Sequence, residues 1–280
     1  YPSLVYCSST GFGPTGPYRD LPVYDPLIQS LSGWASAQQV GDDPTLVRGF
    51  VADKVAATAN AQAITAALVK SARTGEGSHI QLGMLESNIT FTWMDVMMHC
   101  SLLDDDATHQ PNILSSYRLF KAKDGWVSLA VSTDKQAKSF CEALNRQDLI
   151  DNGRFETAAK RGADIADWFN TLQESISNVP LADLLEVLRG ADVPAAPVLS
   201  PAEVASDPQV EAAGYLQETV HPLAGNIRGP RPAASSFGSE LTLCSAPGHG
   251  QDGRQLLHEM NYSSEEIDEL AKKGTILLRS

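Results

Sequence analysis

VADKVAATANAQAITAALVKSARTGEGSHIQL, residues 51–82, holds the helix and the strand from which the rest of the chain can be read. Lys54 to Lys70 is Ala-rich and almost free of breakers, which favours helix because Ala loses no side-chain entropy there. Asp53 stands where an N-cap is expected, and the helix should stop before Gly75 and Gly77. His79 to Leu82 then reads as a strand. Upstream, the apolar run Leu4 to Ser8 reads as a strand feeding a breaker-dense loop, Gly11-Phe12-Gly13-Pro14-Thr15-Gly16-Pro17. Downstream, Leu85 to Cys100 reads as an apolar, Met-rich helix that supplies core.

The next region changes character. After the acidic run Asp104-Asp105-Asp106 and Pro111-Asn112, Tyr117-Arg118-Leu119-Phe120 and Trp126 to Val131 flank the turn Asp124-Gly125. This pattern is that of a β-hairpin opening a second domain. Helices are expected over Asp134 to Leu144, Ala163 to Ser177 and Leu181 to Leu188, packed on the hairpin, with Ser132-Thr133-Asp134 as a cap. Between Val193 and Pro208 the composition shifts to Pro, Ala and Ser, as in an ordered connector. Strand-like pieces, a Pro/Gly tract at Gly229 to Pro232 and a final helix from Ser264 follow, the last preceded by a Ser263/Glu266 capping box.

Composition narrows the function classes. A chain of 280 residues with 42% hydrophobic and 20% charged residues can bury a substantial core and divide into two lobes. The net charge of −13 argues against a duplex nucleic-acid surface, which needs clustered Lys and Arg, so any anionic ligand must be held locally. The least polar long stretch, Val55 to Val69, is interrupted by Thr58, Asn60, Gln62 and Thr65, and no membrane partner is expected. Cys7, Cys100, Cys141 and Cys244 form no CxxC pair, which disfavours zinc or a disulfide framework. With no signal peptide in view, the reading is of reduced thiols in a cytoplasmic protein. The chain opens at Tyr1, without Met, on what already resembles a buried strand, and the reading places this start mid-domain.

Ready-made motifs are absent: there is no GxGxxG after a strand, no GxxxxGK[ST], no HExxH and no GxSxG. What the chain has is a string of short patterns in a fixed order. They are Ser9-Thr10-Gly11-Phe12-Gly13 with Thr15-Gly16-Pro17-Tyr18, Pro22-Val23-Tyr24-Asp25, Gln29 to Gly33, Val51-Ala52-Asp53 and Arg73-Thr74-Gly75-Glu76-Gly77. The string continues through Tyr117-Arg118-Leu119-Phe120 with Asp124-Gly125-Trp126, Arg154-Phe155, Val193-Pro194-Ala195-Ala196-Pro197-Val198 and Asp207-Pro208-Gln209-Val210. Together they resemble the family III CoA-transferases of the CaiB/BaiF type, relatives of formyl-CoA transferase and 2-methylacyl-CoA racemase.

The resemblance implies an α/β fold: an open, mostly parallel-sheet large domain, lacking its first strands here, with a smaller α+β domain inserted between its halves. Residues 1–110 would form the large-domain portion, 111–192 the small domain, 193–210 the connector and 211–280 the return to the large domain. It also implies an interlocked homodimer, no tightly bound cofactor, and CoA, acyl-CoA and carboxylic acids as small-molecule partners. Asp53 falls on the catalytic aspartate of the family. Pro22 and Val23 would line the CoA channel, Tyr24 would lie beside bound CoA, Asp25 would help fix the active-site loop, and Gly11, Phe12 and Gly13 would form a close-approach backbone segment. No metal site is expected.

The residue chemistry can be weighed separately. An unperturbed Asp is a carboxylate at neutral pH and a competent nucleophile towards a thioester, and a helix start favours anionic groups there. Capping alone is the structural alternative for Asp53. The related racemases carry His where Tyr24 stands, and a phenol is a poor base at neutral pH, which favours transferase. The Gly-rich lid of some formyl-transferring relatives has no counterpart between Tyr117 and Val198, which points away from formyl or oxalyl substrates. Two alternatives stay open: a 2-methylacyl-CoA racemase, and a truncated, non-catalytic CoA-binding or interaction module.

Overall fold

The computed structural model describes residues 1–39, 41–108, 113–151, 153–233 and 245–278. His109, Pro111, Asn112 and Cys244 lie outside the described residues. The fold is mixed α/β and divides into two compact units, Tyr1–Ala195 and Ala196–Ser280.

The first unit opens with strand β1 (Val5–Thr10), helices α1 (Asp25–Leu31), α2 (Trp34–Ala37) and α3 (Val51–Thr74), and strand β2 (Ser78–Gly83). β1 and β2 pair in parallel, Val5 opposite Ser78 through Thr10 opposite Gly83, with the intervening helices as the crossover that parallel strands require. Gly77 is needed where β2 begins: a Cβ there would meet the Leu4 carbonyl oxygen at 2.1 Å. α3 lies against β1 through Asn60, which accepts from the Cys7 thiol at 3.3 Å and donates to Ser9 Oγ at 2.9 Å. α3 stops where expected, at a left-handed Gly75 whose N–H returns to the Ser71 carbonyl. It starts three residues earlier than the sequence suggested, so Asp53 is not its N-cap; Phe50 is, with no side-chain capping bond.

Helix α4 (Met84–Thr92) corrects a second expectation, since the helical run does not reach Cys100. Beyond Thr92 the ladder loosens: the N–H groups of Val96 and Met97 share the Thr92 carbonyl, Val96 N–H is also accepted by Asp95 at 2.8 Å, and a short 3-10 turn at Met98–Cys100 follows. Nor does α4 bury its apolar residues: Ser87, Asn88 and Thr92 are inside, whereas Phe91 is exposed.

The hairpin forms as read, with β3 (Leu119–Lys121) antiparallel to β4 (Trp126–Leu129) and the Ala122 N–H bonded to the Gly125 carbonyl. Helices α5 (Asp134–Ala143), α6 (Asp148–Asp151), α7 (Ala158–Ala163), α8 (Ile165–Ile176) and α9 (Leu181–Gly190) follow. α5 starts at a cap, as Ser132-Thr133-Asp134 implied, and the cap is a Thr133/Gln136 capping box. The helices pack on the hairpin through one continuous apolar core that includes Phe120, Val127, Phe140, Trp168, Leu172, Leu184 and Leu188.

At the unit boundary lies β5 (Ala195–Pro197). The second unit contains α10 (Pro201–Val204), α11 (Pro208–Ala212), the antiparallel hairpin β6 (Leu216–His221) with β7 (Gly225–Pro230), α12 (Gly253–Glu259) and α13 (Ser264–Lys272). α13 has the expected Ser263/Glu266 capping box, and Asp207 caps α11 by accepting from the N–H groups of Gln209 and Val210. Among the described residues no helix is long and apolar enough to cross a membrane.

Candidate active site

Asp25 opens α1 behind an extended Tyr24, and Pro26 in the first turn suits the helix because its missing N–H would be unpaired there anyway. The Asp25 side chain turns inward and is 3% exposed. Its Oδ1 accepts from Gln29 Nε2 at 2.6 Å, one helical turn on, and its Oδ2 accepts from the backbone N–H of Asp53 at 3.0 Å. A buried carboxylate is costly unless donors surround it, and these two supply the compensation. Gln29, also buried, donates to the carbonyls of Val47 and Gly49 and accepts the Val47 N–H, so the loop leading to α3 is tied to α1.

A second buried side chain reaches the same point from α4. Asn88 donates to the Ala52 carbonyl at 3.1 Å and to the Met84 carbonyl at 2.8 Å, and accepts from Trp34 Nε1 at 3.0 Å. The Ala52 carbonyl and the Asp53 N–H belong to one peptide group. Buried side chains from two different helices therefore hold both ends of that peptide.

The Asp53 carboxylate, by contrast, is exposed, and among the described residues it accepts no hydrogen bond and joins no ion pair. The helix start offers fewer free donors than sequence alone implies. The N–H groups of Val51, Asp53 and Lys54 go to Gly49, Asp25 and Phe50, so what remains for an anion at this end is the Ala52 N–H and the dipole of α3.

The other sequence-predicted residues are only partly brought together. A Cβ at Gly11 would lie 2.1 Å from Val23 Cγ1, so the space this glycine leaves is filled by the chain's own Val23. Gly13 is buried with a φ of 80° and bonds through its N–H to Thr10 Oγ1. The rings of Phe12 and Tyr18 meet edge-on at 5.5 Å. Pro22 is exposed, and Tyr24, 76% exposed, makes no capping bond.

Sequence reasoning missed Gln29 and Asn88 as positioning groups. A signal existed for each: Asp25 and Gln29 stand at helical i, i+4 spacing, and Asn88 and Thr92 put a polar face on an otherwise apolar helix. What no local pattern announces is that both faces converge on one peptide of α3.

Residues 1–253 match the family described as CoA-transferase family III. Among curated proteins, the chain is similar to the succinate–glutarate CoA-transferase of Agrobacterium fabrum, 33% identical over 217 residues, which covers 76% of this chain and 54% of that protein. The human succinyl-CoA:glutarate CoA-transferase is 26% identical over 281 residues, 98% of this chain and 64% of its own length. The chain thus spans between 54% and 64% of the length of these two relatives. Among solved structures, a CaiB/BaiF family protein from Brucella suis superimposes with a TM-score of 0.75 at 29% identity, over 92% of this chain and 68% of that one. With a match that runs through nearly the whole sequence and a fold shared with a CaiB/BaiF protein, the chain belongs to CoA-transferase family III.

Proposed function

We propose that this chain carries the nucleophile of an enzyme that moves CoA between carboxylic acids, and that the nucleophile is Asp53. The observation that carries the reading is the doubly held peptide beneath an exposed, unpartnered carboxylate. A backbone fixed at both ends aims a side chain without occupying its oxygens, and positioning of this kind is a large part of what an enzyme contributes to group transfer.

The chemistry follows in four steps. An Asp53 oxygen attacks the thioester carbonyl of a donor acyl-CoA, breaking its C–S bond to give an acyl-aspartyl anhydride and CoA thiolate. The thiolate attacks the Asp53 carbonyl carbon and releases the donor as a free carboxylate, leaving an aspartyl-CoA thioester. An acceptor carboxylate attacks that thioester, forming a second anhydride and freeing the thiolate again. The thiolate then takes the acceptor acyl group and restores Asp53. No ATP is consumed, because the thioester free energy is kept at each stage.

Pro22, Val23 and Tyr24 would border the bound CoA, with Gly11, Phe12 and Gly13 as neighbouring backbone and Asp25 as the group that orients Asp53. Tyr24 stands where the related racemases carry a His base, which supports transfer over epimerisation. The names of the relatives make succinate and glutarate the first acids to test.

Intact-mass measurement after incubation with succinyl-CoA should show a covalent CoA adduct that hydroxylamine removes and Asp53→Asn prevents. If Asp53→Asn forms the adduct as wild type does, or if no acyl-CoA donor gives one, the reading fails. Deuterium uptake at C2 of a 2-methylacyl-CoA in D₂O would assign the site to epimerisation instead.

A further inference from the structure

A cleft of about 600 Å³ opens in the middle of the first unit, between the β3–β4 hairpin and helices α7 and α8. It is of the size that holds small organic ligands. None of the residues around Asp53 lines it. Its lining is mixed: Leu129, Val131, Ile165, Trp168 and Phe169 supply apolar surface, and Ser128, Ser132 and two arginines supply polar groups.

Two guanidinium groups face it, and they differ in kind. Arg161 is 3% exposed and tied to its surroundings by three hydrogen bonds: it donates to the carbonyls of Phe155 at 3.0 Å and Ser132 at 3.1 Å and to Asp134 Oδ1 at 2.9 Å, with its guanidinium carbon 5.7 Å from the centre of the Trp168 ring. It is part of the structure. Arg118 lies over two aromatic rings, 5.6 Å from the centre of Phe120 and 5.4 Å from that of Phe169, and among the described residues it forms no hydrogen bond or ion pair. Ring stacking holds a guanidinium in place while leaving its N–H donors open. In a chain of net charge −13, a cation left without a carboxylate beside a partly apolar cleft is out of keeping with the rest of the surface.

We infer that this cleft binds a small organic carboxylate with an aromatic or branched apolar body, its carboxylate on Arg118 and its body between Val131, Ile165 and Phe169. One open guanidinium suits a single carboxylate. A polyphosphate would need several cations, and the charge of Arg161 is already paired with Asp134.

Calorimetric titration with 3-phenylpropionate and with its neutral counterpart 3-phenylpropan-1-ol tests the assignment on the intact protein. The acid should bind roughly tenfold more tightly than the alcohol, as expected for a charge-assisted hydrogen bond. Arg118→Gln, at an exposed position, should remove that preference while leaving alcohol binding in place. Gly162→Phe should weaken both ligands, because a side chain at Gly162 on α7 meets nothing within 4 Å and would project into open space at the cleft. Asp53→Asn should change neither titration, which separates a failure here from a failure of the proposed transferase chemistry. Equal binding of acid and alcohol, insensitivity to Arg118→Gln or to Gly162→Phe, or no saturable binding of the acid below about 10 mM would overturn the inference.

Discussion

The stretch from β1 to α4 and the stretch from β3 to α9 are held together in opposite ways. In the second, a continuous cluster of large apolar side chains, including Phe120, Phe140, Trp168, Leu172, Ile176 and Leu184, is shut away from water. In the first, the buried apolar residues among those described are Ile28, Ala52, Ala56 and Ala67, and beside them lie buried Asp25, Gln29, Ser32, Ser87, Asn88 and Thr92. Tyr6, Phe50, Leu68, Val69 and Phe91 are meanwhile exposed. Apolar burial is strong but has no direction, whereas hydrogen bonds are individually modest and directional. The region built on hydrogen bonds is the one that carries the proposed nucleophile, and the region built on apolar packing supplies bulk stability.

The contrast can be broken most forcefully in the packed region. Trp168→Ala removes a ring that is 1% exposed and should cost about 3–5 kcal/mol in urea unfolding, while CoA-adduct formation at Asp53, measured per folded molecule, stays as in wild type. A matching fall in adduct rate would mean that the two regions do not work independently. Asn88→Ala should show the reverse pattern. It leaves the Trp34 N–H and the Ala52 carbonyl without their side-chain partner, costing about 1–3 kcal/mol, and it should slow adduct formation beyond what the lost stability explains. If stability falls and the adduct rate does not, the clamp on the Ala52–Asp53 peptide is structural only.

Cys141 offers a pH probe of the apolar core. Burial pushes its thiol up from 9.0 to about 11, with nearby Arg146 opposing part of that rise. The folded state therefore keeps a proton that the unfolded chain gives up. The corresponding stability is complete below pH 9 and is lost as pH rises towards 11, by up to about 2 kcal/mol. Urea midpoints measured between pH 8 and pH 11 should fall more steeply for wild type than for Cys141→Ala, since other titrating groups are common to both. Identical slopes would remove Cys141 from the account. The smallest effect is expected at the Lys135–Asp192 pair, 3.1 Å apart with both side chains mostly in solvent. Lys135→Ala should change stability by less than about 0.5 kcal/mol, and a larger loss would show that surface charge contributes more here than the comparison allows.

Legibility in the sequence follows the same division. The Asp124-Gly125 turn, the cap at Ser132-Thr133-Asp134, the Ser263/Glu266 capping box and the Gly75 helix stop were all readable, and each depends on groups within a few residues of one another. The start of α3 was not, because its N–H at Asp53 is taken by Asp25, 28 residues upstream, and Phe50 caps with no side chain. The length of α4 was misread because an apolar pattern carries no notice of the turn in which the N–H groups of Val96 and Met97 share the Thr92 carbonyl. Asn88 was passed over because its position in a Met-rich run gave it the appearance of a core residue.

Order of elements, α/β class, family and the candidate nucleophile were therefore written in local patterns and their sequence along the chain. Those patterns survive in a linear text because they rest on propensity, turn chemistry and short-range hydrogen bonds. Folding added which groups surround Asp53: a carboxylate from α1 on its N–H and an amide from α4 on the carbonyl before it. It also placed Arg118 over two rings at a cleft with no carboxylate beside it among the described residues. Apart from that between Arg118 and Phe120, these contacts join residues 28 to 51 positions apart, and their directions depend on how whole helices pack, which no window of sequence contains.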